Sequence, residues 1–370
     1  MKKLHSKQKL HLARHAKRIA RRKKIWKSWR KQQGKNVLLD AIHAKYGDRP
    51  RYLRSVRSTI VLELPSDLSL ERNYDEVMNF FADFRSYTID KKQLVYVDFR
   101  PVRRVSAAAS LILAAELDRW HKTSRRTLQI RDAAEWDPDV FRLLNEMGLY
   151  DLLSVINKPP PQQSGNQKFI KFRSSNLVLG ELAVSLREDL VQIFGDDSFA
   201  RRRLLYEALV EAMSNSRRHA YPEDFPKSLS TPIGLWWMSG AYNPNNKTLT
   251  VMFYDQGVGI PATIPRKGRW EHLRGWLAEK GLSDDDASRI KASIELGATQ
   301  TKEPHRGLGM QRNILRYVEG HPNDRLRILS AKGEYIYHGD GTDEFKNHTR
   351  SLGGTLIQWE LGADDSDKVQ

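Results

Sequence analysis

The segment KPPPQQSGNQK, residues 158–168, separates two stretches whose elements follow different orders. Its three prolines and polar neighbours have the composition of an interdomain linker. Before it, from Ser58 to Asn157, strand-like and helix-like segments alternate. STIVLELP, QLVYVDF and RRTLQIRD read as strands, and SAAASLILAAELDRW and DPDVFRLLNEMGLYDLL read as helices. That alternation predicts a small α/β layer domain over residues 58–157. After the linker, over residues 169–361, helical material (LGELAVSLREDLVQIF and a helix through Glu211) comes first. The strands IGLWWMSGAY and KTLTVMFYD follow, joined by the turn NPNN. A helical, Trp-containing insertion precedes LRILSA, EYIYHG and TLIQWEL. Helices on one side of a mainly antiparallel sheet, an α+β domain, is the expectation for this half.

The chain has 370 residues, enough for two cores, and no apolar run approaches the ~18 residues of a membrane helix. The start lacks the short apolar core of a secretory signal. With no cysteine, disulfides and thiolate metal sites are excluded, and a reducing cytoplasmic setting is expected. The net charge of +17 is concentrated at one end: residues 1–35 hold 15 of the 62 Lys and Arg and no acid. The remainder carries 47 basic against 45 acidic side chains. Leu12, Ile19 and Trp26 give this basic arm only a thin apolar stripe, so it is expected to become helical on contact with a partner. Its charge density suits the phosphates of nucleic acid better than a lipid interface.

In the second half, Glu207, Glu211 and Asn215 recur every four residues beside the apolar stripe of Leu204, Leu205, Ala208, Leu209, Ala212 and Met213. YDQGVGIP, residues 254–261, ends a strand with an acid and two glycines. TKEPHRGLGM, residues 301–310, places two glycines ahead of an expected helix, and SLGGTLIQWEL, residues 351–361, puts Gly-Thr at the head of a late strand. Taken singly each is weak; their joint order carries the signal. Together they resemble the GHKL ATP-binding fold of gyrase, histidine kinases, mismatch-repair ATPases and anti-sigma-factor kinases. EALVEAMSNSRRHAYP is especially similar to the anti-sigma kinase branch, and the resemblance covers roughly residues 175–361.

The resemblance implies a site for ATP and Mg2+. Asp255 would accept from the adenine amine, and Thr355 would complete the adenine site. Gly257 and Gly259 would let the backbone approach ring and ribose, and Gly307 and Gly309 would present amides to the triphosphate. Asn215 would give Mg2+ a hard oxygen, and Glu211 would act as general base. Lys302 and Arg306 are candidate phosphate contacts. His219 reads as a helix-end packing residue, and Trp236, Trp237, Trp270 and Trp276 as core or lid packing. No Walker-type loop and no phosphoacceptor-histidine motif occur.

In the first half, LVYVDFRPVRRVSAAASLILAAELDR, residues 94–119, is similar to the middle of a STAS domain, where an Asp-Ser-Ser-Gly turn carries a phosphorylated serine. Counting from Asp98, the acceptor position falls on Ala107, with Ser106 read as a helix N-cap and Ser110 the other nearby hydroxyl. The leading expectation is therefore an α/β STAS-like domain followed by an α+β GHKL, histidine-kinase-like ATPase sandwich, with a basic N-terminal arm. It would bind ATP, hydrolyse it with magnesium, and switch a lid around residues 262–306 and contact with a regulatory protein partner. The alternatives are a serine/threonine protein kinase acting on a separate STAS-like protein, and a nucleic-acid-binding module with ATP as a conformational sensor. A homodimer is left open.

Overall fold

The computed structural model describes residues 53–54, 59–124, 128–130, 132–155, 167–194, 202–226, 233–266, 270–299 and 314–362. The basic arm and most of the proline-rich segment lie outside the described residues, as does the tail after Gly362.

The second half is built on an eight-stranded antiparallel sheet. Its order runs Asp343–Asn347, Gly333–His338, Arg325–Ser330, Thr355–Leu361, Thr248–Asp255, Trp236–Asn243 and Lys168–Phe169. Arg173–Ser175 also pairs with Trp236–Asn243. The two short edge strands before the first helix are absent from the sequence reading, as is Asp343–Asn347. They hold few apolar residues, so periodicity gives them no signal. The strands expected from IGLWWMSGAY and KTLTVMFYD form an eight-residue ladder from Trp236 opposite Asp255 to Asn243 opposite Thr248.

One face of the sheet is covered by helices Gly180–Phe194 and Arg202–Asn215, with Asp286–Thr299 against the far strands. Leu186, Leu209 and Met213 from the helices pack with Met238, Phe253 and Trp359 from the strands. The predicted stripe on the Glu211 helix is the buried one, because residues spaced three and four apart share a helix face.

The opposite face is not left to solvent. Alternate residues along the same strands, Trp237, Ala241, Met252, Tyr254, Leu329 and Leu356, belong to the core of the first half. The element pressed against them is the helix Ala107–Ser124, which touches Trp236–Asn243 and Thr248–Asp255. Every side chain from Ala107 to Trp120 is buried, as a helix clamped between two layers requires. Its many alanines permit close approach on all sides. The first half also contains parallel pairs: Thr59–Glu63 with Leu94–Asp98, Asp67–Leu68 with Arg104–Val105, and Leu128–Ile130 with Leu153–Val155. Helix Tyr74–Arg85 is a further element that the sequence reading omits. Its acidic first turn and the buried set Tyr74, Val77, Met78, Phe80, Phe81 and Phe84 are the available signals.

Helices, antiparallel sheet and N-terminal layer thus share a continuous mixed α/β packing. Among the described residues no helix is long and apolar enough to cross a membrane.

Candidate functional site

The helix Arg202–Asn215 carries Glu211 and Asn215 one turn apart, both half-buried. The Asn215 amide nitrogen donates to Glu211 Oε1 at 3.0 Å. With that nitrogen engaged, the carbonyl oxygen of Asn215 is the atom left for a hard cation. The chain then widens into a π-helical turn, Ser216–Ala220, which ends against the strand-ending turn after Asp255. Val258 N donates to Ala220 O at 2.9 Å.

This approach explains Gly257 in a way the sequence reading does not. A Cβ there would stand 2.4 Å from Ala220 Cβ and 2.6 Å from Ala220 O, so the close neighbour requiring glycine is the helix end. Gly259 has φ +85°, a left-handed conformation suited to glycine.

Asp255 ends its strand buried, directly opposite Thr355. Its Oδ1 accepts from Gly257 N at 2.9 Å. Burial pushes its carboxyl up to about 7, against the opposing pull of the Gly257 and Thr355 backbone groups and the Ser216 hydroxyl. The Thr355 hydroxyl shares a 2.9 Å hydrogen bond with the Ser330 hydroxyl, which also lies 3.2 Å from Gly354 O. Ile260 N donates to Ser330 Oγ at 2.8 Å, tying the start of the next helix to the same floor. Gly354 is forced by proximity, since a Cβ would sit 1.9 Å from Asp255 O.

The helix end at Asn215 and Ser216, the turn Asp255–Gly259 and the turn Gly353–Thr355 therefore meet at one place. Lys302, Arg306, Gly307 and Gly309 lie outside the described residues. His219 sits half-buried in the π-helical turn. Trp236 and Trp237 are core residues, and Trp276 packs on Leu273, Leu277 and Ala292 between the helices Trp270–Glu279 and Asp286–Thr299. The Trp270 side chain lies outside what is described.

Sequence reasoning missed Ser216, Ser330 and Gln256. Ser216 follows Asn215 directly and Gln256 is a polar residue inside a buried turn, which are local signals. Ser330 is visible only through its pairing opposite Thr355.

Among the described residues no group of three or more His, Asp or Glu could hold a metal ion. A cation beside Asn215 would have to complete its shell with phosphate and water oxygens, as magnesium commonly does. No family model matches the chain, and no curated protein matches it in sequence.

Proposed function

We propose that the chain is an ATP-binding regulatory protein of the GHKL class that hydrolyses ATP with magnesium. The observation that carries the reading is the convergence on Asp255. It is a buried carboxylate with one oxygen held by the Gly257 amide and Thr355 alongside, next to the helix end that bears Glu211 and Asn215. A buried acceptor at the end of a strand suits the exocyclic amine of a purine, and the Thr355 hydroxyl on the neighbouring strand suits the rest of its edge. When bound, ATP with magnesium would supply the phosphoanhydride and the neutralising charge. Asp255 and Thr355 would orient the base, Asn215 would offer its carbonyl to the cation, and Glu211 would accept a proton from the water that attacks the γ-phosphate as ADP leaves.

The first half is read as STAS-like, and its own hydroxyls favour hydrolysis over self-phosphorylation. Ser106 Oγ accepts from Ala109 N at 3.3 Å, which is an N-cap, and Ser110 is fully buried with its hydroxyl donating to Ser106 O at 2.9 Å. The position where the resemblance expects an acceptor is Ala107, which has no hydroxyl and is buried. Purified protein incubated with γ-labelled ATP and magnesium should release inorganic phosphate without labelling itself. Calorimetry that finds no heat of ATP binding with magnesium would overturn the reading. Label transferred to an added STAS-like protein would favour the kinase alternative.

A further inference from the structure

We propose that the nucleotide site is completed by the N-terminal half, with Gln256 as a positioning residue that ties the Asp255 turn to Glu116. The inference rests on the functional reading above and adds to it a built-in regulator. Gln256 lies between Asp255 and Gly257, just past the end of the strand, and its side chain reaches the first half. There its Nε2 donates to Glu116 Oε1 at 3.3 Å. Glu116 is fully buried in the clamped helix and also accepts from Arg85 Nη1 at 3.3 Å and from Arg119 Nη2. Arg85 in turn donates to Leu352 O at 3.2 Å, and its guanidinium lies against Gly353, at the start of the turn that leads into Thr355.

One carboxylate from the N-terminal half thus holds both of the turns that meet at Asp255, directly at Gln256 and through Arg85 at residues 352–353. The main-chain side of the same turn is fixed as well, since Gln256 N donates to the Tyr221 hydroxyl at 2.9 Å. A buried carboxylate shared by two guanidiniums and an amide has few alternative arrangements, because any partner that leaves strands a desolvated group. Movement of the Ala107–Ser124 helix must therefore displace the Asp255 turn. Conversely, a ligand that fixes Asp255 must restrain that helix, because coupling between two sites is reciprocal.

The test compares wild type, Gln256→Ala, Gln256→Glu and the exchanged pair Glu116→Gln with Gln256→Glu. ATP–magnesium affinity is measured by calorimetry, and hydrogen exchange of amides 107–124 is followed with and without nucleotide. Wild type should bind, and binding should slow exchange in that helix. Gln256→Ala should weaken binding on the order of ten-fold and uncouple the helix, so that its exchange no longer responds to nucleotide. Gln256→Glu sets two buried carboxylates together and should weaken binding further, while the exchanged pair should recover most of the loss. A purely structural role for Gln256 would lower thermal stability without the loss of nucleotide-responsive exchange or the rescue. Wild-type binding with helix exchange indifferent to nucleotide, or equal affinity in all four proteins, would overturn the coupling alone. Absence of wild-type binding would overturn the ATP reading and the coupling with it.

Discussion

Asp255 combines two demands that pull in opposite directions. Its burial raises the folded-state carboxyl from 3.8 to about 7, so the fold favours the neutral form. For an acid shifted upward, stability is highest at low pH and declines as pH rises from about 4 through 7. The proposed ATP binding needs the opposite state, because the ionised carboxylate is the better acceptor for an adenine amine. ATP affinity should therefore rise between pH 6 and 8 and level off above. Asp255→Asn should lose both the affinity and the pH step, yet raise the thermal midpoint of the ligand-free protein at pH 8 more than at pH 6. Calorimetry and thermal denaturation at the two pH values check both halves. In the proposed reaction Glu211 serves chemistry and not binding, so Glu211→Ala should keep ATP affinity within a few-fold while phosphate release stops, and Asn215→Ala should lose the magnesium dependence of binding. Unchanged turnover in Glu211→Ala would remove it from the mechanism.

At the scale of elements, the helix Ala107–Ser124 carries the largest structural demand. Ser106 caps it, and Ser106→Ala should cost roughly 1 kcal/mol. Ala109 is fully buried between layers, and Ala109→Leu should cost about 1–3 kcal/mol through overpacking, read as a lower denaturant midpoint at unchanged slope. Mass spectrometry after incubation with ATP should find residues 103–112 unmodified, and stoichiometric phosphate on Ser106 or Ser110 would contradict this. Most of these elements were legible in the sequence because local periodicity encodes them: the Glu211 stripe, the alternation over residues 58–157, and the hairpin around NPNN. The second covering of the sheet was also written there, in runs such as WWM and VMFY, where neighbours on opposite faces are both apolar. The proline-rich segment at 158–168 points the other way, to separate domains, because its composition is that of a linker. The link from Gln256 to Glu116 had no local signal. It joins residues 140 apart in sequence, and neither residue's immediate surroundings name the other.

Over the whole molecule, ion pairs fasten the N-terminal layer at a second place. Arg327 donates to Glu71 Oε1 at 2.8 Å and to Glu334 Oε1 at 2.6 Å, and His348 bridges from Glu334 Oε2 at 2.6 Å to a stack on Tyr74 at 3.7 Å. Burial alone would raise the Glu334 carboxyl, but His348 and Arg327 overcome it and hold it at about 2. A depressed carboxyl contributes stability that is fully present above its unfolded value near 4.5. That stability is lost as pH falls through the window from about 4.5 to 2. Unfolding should accordingly be one cooperative transition at pH 7, with far-UV dichroism and tryptophan fluorescence superimposing, and Glu334→Gln should flatten the acid limb between pH 4.5 and 2. Two separated transitions at neutral pH would mean that the layers fold independently.

The doubly covered sheet makes the peptide connection between the halves dispensable once folding is complete. A protease site engineered within residues 158–166 should yield a nicked protein that migrates as two fragments under denaturing electrophoresis but elutes as one particle on a sizing column. Expressed alone, residues 167–362 would present the plane of Trp237, Met252 and Tyr254 to water and should be recovered mainly as aggregate. Co-expression with residues 53–155 should restore a soluble pair, so the two halves behave as subunits that happen to share a chain.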